Sequence, residues 1–376
     1  MFTYAPLFSA YFESLGVRPG HLHYSHFSSP EKYQKAAGFS AIDPCYPSKV
    51  AVAHVFELLQ HCEREPLDAI FFPMFGALTS PLKQCSGSYA CPSGSATPEA
   101  VKAAFSRTVD WFEQRKVRYL NPVVDLNDRD LFKYQMFSCW NKILALDWEE
   151  NSRAVDIAFD HFEEFETNLR RQARGTLDDL ERNGRVGLVM LGRPYHHDPG
   201  LNQGILHELQ KHGYAVFSQS LLPLDRDLLE RLFHGQLSKA LIRSALDISD
   251  VWKQSFSASS NHKLWAAKFV ARHPNLVSVE LSNFKCGHDA FISRTIEEII
   301  ERSGKPHFSF RDLDENRPLA SIRIRVETMH YFLNQYQQKL PCRSQATAHT
   351  VINGNLLRPP IRDGESFAGR DIEERA

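Results

Sequence analysis

Three of the seven cysteines lie at turns beside a proline or a glycine, two of them directly before a predicted helix and one, Cys91, in a loop after a predicted strand. They are Cys45 in DPCYP, Cys91 in ACPSG and Cys286 in KCGHD. The N-terminus of a helix carries partial positive charge, which lowers the pKa of a thiol and favours the thiolate, the form that binds metals. Backbone N–H groups at such a turn also donate hydrogen bonds to cluster sulfides. These positions predict a shared metal site. Unrelated buried thiols are the alternative, because the wide spacing is unlike the compact CxxC motifs of ferredoxins and zinc fingers.

The other cysteines have less distinctive surroundings. Cys62 and Cys139 fall within helical patterns, which favours packing in a core. Cys342 lies in the polar C-terminal region. Cys85 shares a loop with Cys91, and it stays open as a fourth ligand, an alternative ligand or a bystander. The odd number and wide spacing of the cysteines disfavour disulfides and fit a reducing compartment.

A second candidate site follows the apolar run 186–191, which ends in the sequence GRPYHHDPG. A buried strand, a tight turn and a helix start bring backbone N–H groups to the edge of a sheet. We expect Gly192, Arg193, Tyr195 and His196 to face an anion or a polar cofactor there, with Arg193 as the anion-binding side chain. An ordinary strand–helix corner is the alternative. The chain has neither GxxxxGK[ST] nor GxGxxG after a strand, so it has no P-loop and no dinucleotide fingerprint.

The elements that would position these residues alternate between strand and helix. Apolar runs predict strands over 21–27, 67–72, 117–126, 186–191, 215–219, 276–281 and 307–311. Helical spacing predicts helices between them, and the stretch 79–97, rich in Ser, Gly and Pro, is predicted to be a loop. This alternation indicates an α/β fold with parallel sheets that helices cover on both faces.

The pattern divides the chain into four parts: an N-terminal α/β domain (1–128), a helical connector (129–184), a C-terminal α/β domain (185–340) and a disordered tail (341–376). The connector is long and charged, and the tail is polar without periodicity. The first domain begins with a helix over 6–15, without the strand that normally comes before one. The sequence therefore predicts that this opening strand is missing or is borrowed from a preceding polypeptide.

Charge and hydropathy exclude several classes of protein. The 44 Lys and Arg residues nearly balance the 45 Asp and Glu residues, so no strong field marks binding to nucleic acid or to a membrane surface. No apolar run approaches the roughly 20 residues that span a bilayer. The N-terminus lacks the basic region and cleavage site of a signal peptide. We expect a cytoplasmic protein that binds neither nucleic acid nor membranes.

The segments GRPYHHDPGLNQGI, DPCYPSKVAVAH, ACPSG and KCGHDA together resemble the iron–sulfur half of the 2-hydroxyacyl-CoA dehydratases and of the related CoA-substrate-specific enzyme activases. The resemblance extends over about residues 2–340, and the GRPYH motif is its most specific part. It implies two Rossmann- or flavodoxin-like parallel-sheet domains with a helical connector. It also implies a 4Fe–4S cluster, whose ligands would be Cys45, Cys91 and Cys286.

The resemblance implies a partner as well. In the dehydratases an ATPase delivers a low-potential electron to the cluster, and a 2-hydroxyacyl-CoA thioester then loses water. The expected partners are a BadF/BcrA-type activator ATPase, as in benzoyl-CoA reductase, or a sister dehydratase subunit. The ATPase portion of the large fused members has no counterpart here, so a partner protein would have to hydrolyse the ATP. The implied activity is that of a dehydratase-like lyase or a reductase component acting on an acyl-CoA thioester, and whether the chain is itself an enzyme stays open.

Two other functions stay open on the sequence. One is a non-catalytic subunit or domain that docks a partner ATPase or a sister subunit. The other is a zinc-dependent enzyme that uses His196, His197 and a cysteine.

Overall fold

The computed structural model describes residues 2–39, 44–314 and 319–340, and the predicted tail with Cys342 lies outside these ranges. Helices and parallel strands alternate along the chain, so the fold is α/β, as predicted. The helices are α1 (Ala5–Ser14), α2 (Pro30–Ala36), α3 (Tyr46–His61), α4 (Pro92–Ser106), α5 (Trp111–Gln114), α6 (Arg129–Leu144), α7 (Trp148–Arg182), α8 (Ile205–Lys211), α9 (Arg226–Ser238), α10 (Ala258–Arg272), α11 (Gly287–Glu301) and α12 (Leu319–Gln337). The strands are β1 (Ala69–Phe71), β2 (Met74–Ala77), β3 (Arg118–Leu120), β4 (Val123–Asp125), β5 (Gly187–Leu191), β6 (Ala215–Ser218), β7 (Leu276–Leu281) and β8 (His307–Phe310). No helix within the described ranges is long and apolar enough to cross a membrane.

The C-terminal half contains one parallel sheet with the strand order β6-β5-β7-β8. β5 lies inside the sheet, where Leu188 is paired with Val216 on one side and with Val277 on the other. Every residue of β5 and β7 is buried, which explains why β5 is a continuous apolar run and why β7 is mostly apolar. α8 and α12 pack on one face, whereas α7, α9, α10 and α11 pack on the other. With both faces covered, the carboxyl ends of the strands are the accessible edge.

The N-terminal half has shorter strands. β1 pairs with β3 and β2 pairs with β4, both in parallel. Pro73 separates β1 from β2, and the Asn121–Pro122 step separates β3 from β4, because proline cannot donate to a strand ladder. The predicted strand over 117–126 is therefore two short strands, and β2 is an addition to the predicted elements.

Two sequence-based predictions are wrong. The predicted strand over 21–27 is the end of a 3₁₀ turn (Pro19–His21) and a segment that pairs with no strand in the described part of the chain. The predicted loop over 79–97 ends earlier, because α4 already begins at Pro92. Proline suits the first position of a helix, where its fixed φ fits and the N–H that it lacks would have no partner.

α1, α6 and α7 share one apolar core with β4. A buried hydrogen bond of 2.8 Å from the Tyr11 hydroxyl to Asn151 Oδ1 joins α1 to α7. A capping box formed by Asp147 and Glu150 starts α7, which explains the abrupt beginning of this long helix. The helices predicted over 129–184 are thus present and pack against the first helix, while the domain boundaries stay a prediction.

Candidate functional site

Each of the three predicted cysteine ligands is the N-cap residue of a helix. Cys45 precedes α3, Cys91 precedes α4 and Cys286 precedes α11, and all three have extended backbone. None of the three thiols makes a capping hydrogen bond to the helix that it precedes. The predicted placement before a helix is confirmed for Cys45 and Cys286, whereas Cys91, predicted to lie in a loop, also precedes a helix.

α3 and α4, whose N-caps are Cys45 and Cys91, are in contact near their N-terminal ends. The hydroxyl of Thr97 donates to Ser48 Oγ at 2.9 Å, and Ser48 Oγ is 3.5 Å from Cys45 Sγ. Both cysteines line one cavity of about 1740 Å³ together with Arg193. Two of the predicted ligands therefore share a cavity with the predicted anion-binding arginine.

Cys286 approaches the same corner from the C-terminal half. Tyr195 packs against Tyr46, the neighbour of Cys45, and lies within electrostatic range of both Cys286 and Cys45. Asn283 also donates a weak hydrogen bond of 3.4 Å to the Tyr195 hydroxyl. Burial and the negative charges nearby raise the pKa of this phenol well above its ordinary value. Tyr195 is thus a neutral group between the two cysteine-bearing turns.

Only two of the three guanidinium nitrogens of Arg193 donate hydrogen bonds to described residues. Its Nε and Nη2 donate to Asp289 Oδ1 at 2.9 and 2.6 Å, and Nη2 also donates to Ser260 Oγ at 3.3 Å. Nη1 is buried and has no hydrogen-bond partner among the described residues. Burial opposes the charged form, but Asp289 and Cys286 raise the pKa of Arg193 above its ordinary value. An unsatisfied buried donor on a permanent cation suits an anionic ligand.

A buried charge network that the sequence-based prediction did not contain holds this arginine. Lys263 is fully buried, and its Nζ lies 2.9 Å from Asp289 Oδ2 and 3.6 Å from Glu280 Oε1. Burial would raise the pKa of Asp289, yet Lys263 and Arg193 hold it well below its ordinary value. The sequence KCGHD on its own would favour Asp289 as the cap of its helix, but Cys286 is the N-cap. The available signal was Glu280, a charge inside an otherwise apolar strand.

His196 and Gly192 shape the corner. His196 is 1% exposed, and its Nδ1 accepts a hydrogen bond of 3.0 Å from the backbone N–H of Arg193. Burial holds the pKa of His196 well below its ordinary value, so the ring is neutral. A Cβ at Gly192 would lie 2.9 Å from His196 Nδ1, which explains why glycine is needed there. The hydrogen bond from the Arg193 N–H to His196, and the close packing of His196 on Gly192, fix the backbone at Arg193.

The pKa of the Cys286 thiol is opposite in direction to the prediction for helix N-termini. Burial and the charge of Asp289 raise this pKa, and Arg193 and Lys263 oppose the rise only in part. A coordinated metal would nevertheless deprotonate the thiol. Cys85 packs against the core of the C-terminal sheet, and burial also raises its pKa. It is not among the residues that line the cavity with Cys45 and Cys91.

The predicted metal ligands do not converge on a single ion within the described residues. Within the described residues, the group of potential ligands that converges to within 4.8 Å is His23, His61 and Glu65, which the sequence-based prediction did not include and which is partly exposed. His196, His197 and a cysteine form no such group in these ranges. An iron–sulfur cluster holds its thiolates farther apart than one ion does, so the cluster on Cys45, Cys91 and Cys286 stays a prediction.

An α/β fold with three cysteine thiols at helix N-termini and a buried arginine at a strand–helix corner defines a class of candidate cofactor-binding proteins. A family model described as the CoA enzyme activase uncharacterised domain matches residues 1–222, and the chain belongs to this family. The matched residues include Cys45, Cys91 and the GRPYH corner, whereas Cys286 lies beyond them. No curated protein matches the chain.

Proposed function

We propose that the chain is an iron–sulfur redox protein of the 2-hydroxyacyl-CoA dehydratase and activase superfamily. Cys45, Cys91 and Cys286 would hold a 4Fe–4S cluster, which supplies one-electron transfer when bound. The observation that supports this proposal is that Cys45 and Cys91 line one cavity with Arg193 and Tyr195, while Cys286, which does not line it, lies within electrostatic range of both residues. The first-turn N–H groups of α3, α4 and α11 would donate to the cluster and stabilise its negative charge.

Arg193 has a defined role in this proposal. Its pairing with Asp289 fixes the guanidinium, and the unpaired Nη1 would donate to a cluster sulfide or to an anionic group of a ligand. Tyr195, which is neutral at physiological pH, would shield the site from water. The residues of the corner thus bind, orient and exclude water, and they leave the electron chemistry to the cluster.

The electron would come from a partner, a BadF/BcrA-type activator ATPase or a sister dehydratase subunit, because the chain has no P-loop. An acyl-CoA thioester is the substrate class that the family implies. Finer features of the fold, namely two Rossmann- or flavodoxin-like domains around the cluster, belong to the same proposal. The single C-terminal parallel sheet supports one of them.

A non-catalytic docking module is the second candidate, and a patch of exposed aromatic residues favours it. Phe284 and Phe291, on either side of Cys286, are 77% and 74% exposed. Tyr89 and Phe256 are also exposed and are joined by a hydrogen bond of 2.8 Å from Tyr89 N–H to the Phe256 carbonyl. Aromatic side chains grouped on a surface mark protein interfaces. This patch would seat a partner beside Cys91 and Cys286 in either function.

Iron and acid-labile sulfide analysis of protein purified without oxygen tests the proposal. About four of each per chain, with a broad visible absorption, is the expected result for one 4Fe–4S cluster. A folded protein without iron, sulfide or colour would reject the cluster and leave the docking module. Stoichiometric zinc without iron would point to the zinc enzyme instead.

A further inference from the structure

The two halves of the molecule differ in one strand. In the C-terminal half, β5 precedes α8 and lies between β6 and β7. In the N-terminal half, α1 is followed by the segment 22–27 and, after α3, by β1. No strand among the described residues lies between segment 22–27 and β1. Among the described residues, no strand of the N-terminal half occupies the position that corresponds to β5 in the C-terminal half.

The edge of β1 that faces this position has free backbone groups. Asp68 O accepts from Arg118 N at 3.1 Å and Phe72 N donates to Leu120 O at 2.8 Å, so the even-numbered residues of this strand point towards β3. The N–H and C=O groups of Ala69 and Phe71 consequently point away from β3. Neither residue has a backbone hydrogen bond to another described residue on that side. Unpaired backbone groups beside apolar side chains are costly unless a partner satisfies them.

The cavity of about 1740 Å³ contains the vacant position. Its walls include β1 and the segment 21–27, in addition to the part near Cys45 and Cys91. Phe8 and Phe12 of α1 and Val50 and Val55 of α3 also line it. An occupant between these helices would therefore meet apolar side chains on both faces.

Two hydrogen bonds hold segment 22–27 away from β1. Ser25 Oγ lies 2.8 Å from His54 Nδ1 on α3, and the Tyr24 hydroxyl lies 2.8 Å from Ser9 Oγ on α1. The segment is thereby fixed to both helices that cover the vacant position. Its attachment keeps the groove open for a strand instead of allowing the segment to pair with β1.

The carboxyl end of β1 determines the direction of the missing strand. Tyr4 packs on Phe75 with ring centroids 5.2 Å apart, so the start of α1 lies just beyond that end. In the C-terminal half, the 3₁₀ turn Pro194–His197 follows β5 at the corresponding place, and Thr3 contacts it through a hydrogen bond of 3.3 Å to the Pro194 carbonyl. A strand that runs parallel to β1 therefore repeats the arrangement of β5.

We propose that the groove between segment 22–27 and β1 receives an extended β-strand from a partner polypeptide. The strand has about five residues, runs parallel to β1, pairs with Ala69 and Phe71, and is apolar on both faces. Strand addition of this kind satisfies the backbone groups of β1 and fills the apolar part of the cavity. It leaves the part near the cysteines accessible.

A suitable probe is a peptide with the sequence of residues 186–191, which are β5 and the valine before it. Two lysines added at its N-terminus make it soluble. Hydrogen exchange over 67–72, followed by mass spectrometry with increasing peptide, should show saturable protection of two further amides, those of Ala69 and Phe71. Ala69→Pro removes one donor that faces the groove but leaves the pairing with β3, and it should weaken peptide binding about tenfold. Ala69→Ser keeps the donor and should bind like the unaltered protein.

A second peptide, with prolines in place of Leu188 and Met190, serves as control if Ala69→Pro does not fold. It keeps apolar character but cannot pair as a strand, and it should give no protection. Equal protection by both peptides would show that the cavity takes any apolar molecule and would overturn the proposal. Absence of protection at saturating concentrations of the first peptide would overturn it as well.

Discussion

Arg193 and Asp289 form a buried ion pair, with Nη2 and Oδ1 2.6 Å apart and both side chains less than 5% exposed. The pair joins the corner after β5 to the first turn of α11, and so it links the arginine of the GRPYH motif to the helix that Cys286 caps. Lys263 contacts the other oxygen of the same carboxylate at 2.9 Å. One carboxylate thus compensates two buried cations, and the geometry of the candidate site depends on it.

Asp289→Asn is expected to lower the free energy of unfolding by about 3–5 kcal/mol, because it leaves Arg193 and Lys263 buried with less compensating charge. Urea denaturation at neutral pH measures the change. Asp227→Asn is the matched control, since Asp227 pairs with Arg174 at 2.8 Å but is 70% exposed. Its substitution should lower the free energy of unfolding far less, because solvent screens an exposed ion pair. Equal costs for the two variants would contradict the role given to Asp289.

The cysteines should separate into two groups. Cys45→Ala, Cys91→Ala and Cys286→Ala are each expected to lose most of the iron and sulfide of the anaerobically purified protein. Cys85→Ala and Cys62→Ala should keep both, because Cys85 packs on the C-terminal core and Cys62 packs on the core of α3 and α4. Circular dichroism checks that every variant is folded. Retention of iron in Cys286→Ala would show that Cys286 is not a ligand.

His54 should make stability depend on pH in the acid range. Burial, with a smaller contribution from Lys32, lowers the pKa of His54 to about 4. The unfolded chain, with a histidine pKa of about 6.5, therefore binds a proton that the folded protein does not bind between these values. The stabilisation is complete above pH 6.5 and is lost as the pH falls towards 4, by about 3 kcal/mol in all.

Denaturation at several pH values tests this dependence by comparing His54→Gln with the unaltered protein. The slope of the unfolding free energy against pH gives the number of protons taken up on unfolding. Between pH 6.5 and 4 this number should be smaller by about one in the variant. Part of the pH dependence should remain in the variant, because burial also lowers the pKa of other histidines such as His262. An unchanged slope would mean that His54 is protonated in the folded protein.

Gly200 should tolerate no side chain. A Cβ at this position would lie 1.9 Å from the backbone oxygen of Ser28, whose N–H and hydroxyl donate to Asp198. Gly200→Ala would have to separate the corner after β5 from the segment that ends at Ser28, at a cost of about 3 kcal/mol. Gly175→Ala in α7 meets no atom within 4 Å and should instead stabilise the helix by up to about 1 kcal/mol. Thermal melting distinguishes the two signs.

Much of the fold follows from local pattern. β5 and β7 are predicted correctly because strands that are buried on both faces are mostly apolar along their whole length. The predicted strand over 21–27 fails because its alternating pattern needs a neighbouring strand to pair with, and the described part of the chain supplies none. α4 begins earlier than predicted because Ser, Gly and Pro are common both in loops and in the first turn of a helix.

The sequence by itself determined the α/β class and the placement of Cys45 and Cys286 before helices, because helix starts and buried strands are encoded by neighbouring residues. Only the tertiary structure decided which charges meet. Asp289 is 96 residues from Arg193, and no local pattern distinguishes a helix cap from the partner of a distant arginine. The raised pKa of the Cys286 thiol has the same origin, since burial depends on how helices and sheet pack and outweighs the helix N-terminus.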